Sequence, residues 1–245
     1  MAEKLIKFVA KDPFTWEVVN RPFPAVQALP DWWRKMTPFH QNENNPDGNK
    51  FNLEDYVSNA SPKKCVPMLD AFNAGYIMPL WADVQVKSDV EYDKVGYLPR
   101  ITWRTSRPVF AIHGDTRGLE TPDGFHWQAF KFSSWWRIVT PPGYSVLITQ
   151  PFGYKNEAFH AVTGIADTDK LETEIASPVW VRTGIDEIIK AGTPMIQIIP
   201  FKRDDWRAEY EMMKEGEYEI MDNLNLGKNI LHNYVKNIWS KKRFR

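Results

Sequence analysis

Ahead of Pro200, apart from a short stretch near Met68, no ten-residue run of this chain carries a helical pattern. Apolar residues recur instead at every second position. Leu80, Ala82, Val84 and Val86 alternate with Trp81, Asp83, Gln85 and Lys87, the period of a strand with one buried face. Short runs over 4–10, 100–104, 109–113, 127–132, 136–140, 144–149, 175–181 and 195–201 predict further strands, and Pro141-Pro142-Gly143 marks a turn between two of them. Pro13, Pro22, Pro24 and Pro30 break the early chain before anything long can form. The 18 prolines and 11 tryptophans suit a sheet protein with irregular connections, in which large aromatics bury much area per residue.

Two short helices interrupt this pattern. Residues 30–36 read as one or two helical turns presenting Trp32 and Trp33, and Pro67 ahead of Met68 with Gly75 beyond Phe72 frames a second helix. Residues 38–50, rich in Asn, Pro and Gly, read as a surface loop. After Arg203 the period changes. Trp206, Tyr210, Met213, Leu224, Leu231, Tyr234 and Ile238 fall at helical spacings and predict one or two amphipathic helices interrupted at Gly216 and Gly227. The expected organisation is a mainly β globular domain over 1–203 with a helical C-terminal extension over 204–245 packed on it.

A chain of 245 residues buries roughly 70–75 % of its unfolded surface without staples. Its 31 basic and 31 acidic residues cancel, so no net field draws it to nucleic acid or anionic lipid. Cys65 is the only cysteine, which excludes an intramolecular disulfide and a cysteine-built zinc cage. The N-terminal residues lack the apolar stretch of a signal peptide, and no run approaches the ~20 apolar residues of a membrane span. A cytoplasmic setting and no membrane partner are expected.

Residues 30–36, 63–83, 136–151 with their Thr-Pro-Pro-Gly-Tyr-Ser core, 164–169 and 192–206 together resemble an uncharacterised protein family of tailed phages, T4-like cyanophages among them, and of some bacteria. That resemblance implies a context, a host-cell cytoplasm or a virion, and no established activity. Residues 164–201 are locally similar to the C-terminal half of dUTPase-like β-clip barrels. Gly164-Ile165-Ala166-Asp167-Thr168-Asp169 matches the family's hairpin, and Ala191-Gly192-Thr193-Pro194-Met195-Ile196-Gln197-Ile198 matches the strand after it. The resemblance implies a β-clip barrel or sandwich and a trimer. It also implies that Asp167 matches the aspartate that orients the attacking water, with Asp169 as the second acid of the loop. The match stops at Lys170-Leu171-Glu172, where that family has a tyrosine followed by Arg-Gly. No Arg-Ser-Gly phosphate motif and no glycine-rich C-terminal lid follow, so the shape is expected without the catalysis.

Four other sets of residues bear on chemistry. His113 and Asp115, with His160 as third ligand, have the make-up of a facial triad for non-haem Fe(II); the alternative is a turn at Gly114-Asp115 and an ordinary strand-end histidine. Trp33, Trp127 and Tyr144 are candidate binding contacts, although in each pair of adjacent tryptophans one indole is expected in the core and its neighbour at the surface. Cys65 beside Lys63 and Lys64 reads as structural, as do His40, His126 and His232. The basic end, Lys241, Lys242, Arg243 and Arg245, is either a partner contact or a solvated helix end. The leading expectation is a non-catalytic binding or assembly module of phage or phage-related origin, with a phage structural or host protein as partner and no defined cofactor. The alternatives are a divergent nucleotide-processing enzyme and an Fe(II)-dependent oxygenase.

Overall fold

The computed structural model describes residues 4–43, 45–48, 60–89, 96–214, 216–217 and 234–245. Leu224, Leu231 and His232 lie outside them. The chain divides into two compact units, one of Met1–Ala28, Ala74–Arg203 and Phe244–Arg245, the other of Leu29–Asn73 and Asp204–Arg243.

Among the described residues the first unit holds one α-helix, α1 (Pro13–Val18), a 3₁₀ turn at Ala25–Ala28 and every strand. In chain order these are β1 (Lys7–Ala10), β2 (Phe23–Pro24), β3 (Tyr76–Pro79), β4 (Val84–Lys87), β5 (Arg100–Trp103), β6 (Phe110–Ile112), β7 (Phe130–Ser133), β8 (Trp136–Val139), β9 (Tyr144–Thr149), β10 (Phe159–Ala161), β11 (Gly164–Ala166), β12 (Ala176–Val181), β13 (Asp186–Ile189) and β14 (Pro194–Lys202). They form four sheets: β1-β8, β10-β12-β7-β6, β11-β9-β14-β3-β2 and β13-β4-β5. All pairings are antiparallel.

The expected alternation is realised in β4, where Val84 and Val86 are buried and Gln85 and Lys87 exposed. Each inward face feeds one core containing Phe110, Phe132, Trp136, Ile138, Val146, Phe159, Val181 and Ile198. The chain is thus mainly β, but none of the sheets closes into a barrel, against the barrel form of the expectation. The edges explain this locally. β2 is two residues long and ends in Pro24, which has no N–H to extend a ladder, and β11 stops at the Asp167 turn.

α1 is a helix where proline-broken chain was expected. Pro13 occupies its first turn and Asp12 caps it, accepting from the Thr15 N–H at 2.9 Å, so the proline opens an element instead of ending one.

The second unit contains α2 (Asp31–Lys35), a 3₁₀ turn at Pro62–Lys64 and α3 (Val66–Asn73). Trp33 is buried edge-on against Phe72, with ring centroids 4.8 Å apart, while its neighbour Trp32 is 45 % exposed. Lys63 Nζ donates to the Trp33 carbonyl at 2.5 Å, which satisfies one of the helix's terminal acceptors. Near the C-terminus a single π-helical turn, Tyr234–Ile238, precedes Trp239, whose indole N–H donates to Asp70 at 3.0 Å.

Residues 204–214 overturn the predicted helix. They form no regular element despite the spacing of Trp206, Tyr210 and Met213. Trp206, Tyr210 and Met213 are 90 %, 95 % and 55 % exposed, so the stripe buries little, and a short amphipathic stretch without tertiary burial is marginal as a helix.

Candidate functional site

Asp167 and Asp169 follow β11 in the turn toward β12 and meet Arg203, the residue after β14. The Arg203 guanidinium donates to Asp169 at 2.9 and 2.5 Å, to Asp167 at 3.2 Å and to the Ser145 hydroxyl at 2.8 Å. Asp169 also accepts from the Gly143 N–H at 2.9 Å, and Asp167 from the Ser145 hydroxyl at 2.6 Å. The two carboxylates therefore tie three segments together: the Pro-Pro-Gly turn, the hairpin and the end of β14. Oδ1 of Asp167 has two donors, an arrangement that serves turn closure.

Arg203, and to a lesser degree the Gly143 N–H, hold the Asp169 carboxyl at about 2, against an ordinary 3.8. A carboxylate depressed in the folded state stabilises the protein above its unfolded value, and that contribution disappears as pH falls toward the folded value. The contribution of Asp169 to melting temperature is therefore expected to be constant above pH ~4 and to be lost between about pH 4 and 2, so that melting temperature falls more steeply across that window in wild type than in Asp169→Asn. Equal slopes in an acid melting series would remove Asp169 as a source of the acid sensitivity.

The predicted Fe(II) triad does not assemble. In the β10-β12-β7-β6 sheet His160 pairs with Trp180, and the His113 N–H donates to Ala129, the residue ahead of β7. His160 thus lies on β10 and His113 directly after β6, the strands at the two ends of the sheet order, whereas ligands must lie ~2 Å from one metal. Asp115 is paired with Arg117, whose guanidinium holds its carboxyl at about 2. Among the described residues no group of three His, Cys, Asp or Glu side chains is placed to hold a metal. The turn at Gly114-Asp115 is the reading realised: the Arg117 N–H donates to the Asp115 carboxylate at 3.0 Å.

The aromatic candidates divide by burial. Trp33 is in the core of its unit, so its indole is closed to a ligand. Tyr144 is half-buried, with the Lys4 ammonium 4.5 Å over its ring, and Trp127 is half-buried beside His126. His126 is buried, and its Nδ1 accepts from the Gln128 N–H at 3.0 Å.

A cleft of about 420 Å³ in the first unit gathers residues that the sequence did not single out. Phe125, Phe152, Tyr154, Lys155, His160 and Arg182 line it. Arg182 follows β12, and its neighbourhood is fixed by the bridge between Phe125 and Arg182. Its guanidinium lies 4.7 Å over the Phe125 ring, and its Nε donates to the Glu157 carbonyl at 2.6 Å. His160 meets the same Phe125 ring at 5.6 Å. Burial pushes the His160 imidazole below and the Tyr154 phenol above their ordinary values, so both are neutral near pH 7. Only His160 was legible in advance, and for another role.

Comparisons of the chain with protein-family models, with curated proteins and with solved structures returned no match.

Proposed function

We propose that this protein is a non-catalytic binding or assembly module that associates with further copies of itself through residues 204–214. The observation that carries this reading is the exposure of Trp206, Tyr210 and Met212 at 90 %, 95 % and 94 % on a segment without regular structure. Side chains of this kind dominate interface energetics when buried. Reciprocal burial of Trp206 and Tyr210 on two copies removes roughly 600–1,000 Å² from the arms alone. The surfaces they cover add a comparable amount, past the ~1,000 Å² of a specific interface. The formal net charge of zero leaves no global repulsion between identical chains.

The resemblance to tailed-phage proteins supports an assembly role, and the local β-clip resemblance of residues 164–201 supports a trimer. Sedimentation analysis of the full chain against the Trp206→Ser/Tyr210→Ser double variant tests the proposal. Wild type is expected at two or three times the chain mass. The variant should dissociate at least about 30-fold more readily, given ~2 kcal/mol or more for a buried aromatic hot spot. A monomeric wild type, or a variant with undiminished mass, sinks the reading.

A further inference from the structure

The cleft between β10, β12 and the turn after β9 carries an inference independent of the C-terminal arm. We infer that it binds a small molecule bearing an oxyanion, a carboxylate or a phosphate monoester, on a flat apolar body, with Arg182 as the anion-binding group.

The argument begins with the guanidinium. Its Nε is committed to the Glu157 carbonyl and its face to Phe125, which fixes its orientation. Among the described residues no carboxylate pairs with it, unlike Arg107, Arg117 and Arg203, each of which has an aspartate within 3.2 Å. A planar guanidinium held in place with its terminal nitrogens unpaired matches the two oxygens of a carboxylate or phosphate. The backbone closes in behind it: a Cβ on Gly124 would lie 3.4 Å from one terminal nitrogen. Lys155 is a second cation at the cleft, but it is paired with Glu157 at 3.1 Å, so Arg182 carries the uncompensated charge.

The remaining lining sets the rest of the ligand. Phe125, Phe152 and Pro151 offer apolar surface, suited to a flat ring. His160 and Tyr154, both neutral near pH 7, supply hydrogen bonds without adding charge, which favours one anionic group over a polyanion. The volume of about 420 Å³ lies toward the lower end of the ~300–1,000 Å³ typical of small-molecule sites.

The probes are benzoate, phenyl phosphate and uncharged benzyl alcohol, each titrated into the full chain and followed by chemical shifts of the Arg182 Nε–H and the Phe125 amide. At least one anion is expected to saturate these shifts at millimolar concentration, the tighter of the two identifying a carboxylate or a phosphate ligand. Benzyl alcohol should bind about tenfold or more weakly, and Arg182→Gln should weaken the anion by a similar factor, the worth of a charge-assisted hydrogen bond. Silence with both anions, equal binding of benzyl alcohol, or undiminished binding by a folded Arg182→Gln chain overturns the inference. If that variant does not fold, Arg182→Lys keeps the charge and loses the fork; affinity within about twofold of wild type then overturns it by the same logic.

Discussion

Replacing Gly75 by alanine should cost about 3 kcal/mol or more of folding stability, among the largest effects of any single methyl group in this chain. Gly75 sits in the turn that leads into β3, at φ +70°, a conformation that costs an L-residue ~1–2 kcal/mol by itself. The second contribution is steric. A Cβ there would lie 1.9 Å from the Ile198 carbonyl oxygen and 2.9 Å from its carbon. Those atoms belong to β14, which is paired on both sides, with β3 and with β9. The backbone cannot yield as a surface side chain would, so relief requires separating β3 from β14 where Ile198 pairs with Tyr76. Gly192 supplies the control, since its φ is +90° and nothing lies within 4 Å of its Cβ position. Gly192→Ala should therefore show the conformational cost alone. Denaturant unfolding of the two variants checks this, and equal losses would mean that the close approach to β14 contributes nothing.

Where the sequence was legible, a short-range periodicity met a surface able to use it. The alternation over residues 84–87 became the inward and outward faces of β4, whereas Leu80, Trp81 and Ala82 ahead of it are all buried outside any strand, and residues 144–149 became β9, because the buried side of each strand had other sheets to pack against. The division within Trp32-Trp33 was readable as well: Trp33 is buried against Phe72, while Trp32, which meets Phe72 edge-on at 6.0 Å, keeps a solvent-facing side. Residues 204–214 carried an equally good helical spacing and did not fold into a helix. A period states which side chains would share a face, and does not provide a partner for that face.

The site followed the same division. Acceptor residues for the turn were visible at Asp167 and Asp169, but their donor, Arg203, is 34 positions from Asp169 and no local pattern announces it. His113 and His160 looked compatible as ligands because spacing in sequence says nothing of strand order; the order β10-β12-β7-β6 puts them on opposite edges. The cleft was hidden for a related reason. Phe125, Tyr154, His160 and Arg182 come from four segments, and only the pairing of β10 with β12 and the bridge from Phe125 to Arg182 bring them together.

Phe132→Ala is expected to lose about 3–5 kcal/mol, the range for deleting a fully buried phenylalanine, while Phe132→Leu should lose less than about 1.5 kcal/mol. Phe132 lies in β7 with no exposed surface, between Ser177 of β12 and Phe110 of β6 in the pairing register. Its ring meets Phe110 at 5.7 Å, and Phe110 in turn stacks on Phe159 of β10 at 4.9 Å. One chain of aromatic contacts thus crosses the sheet whose other end carries His160 and leads into Arg182. Truncating Phe132 leaves a cavity at one end of that chain, beside Phe110, and a core packed near crystal density relaxes only in part around it. At ~2–4 °C per kcal/mol for a chain of this size, the alanine variant should melt roughly 6–20 °C lower. Calorimetry on the two variants decides the matter: losses of equal size would mean that volume at this position is unimportant and that the row from β6 to β10 is not packed as a unit. With unequal losses, the cleft gives a further reading on the same variants. The leucine chain should keep the wild-type affinity for its anionic probe, and the alanine chain should bind it more weakly at temperatures where it remains folded, because β12 then holds Arg182 less firmly.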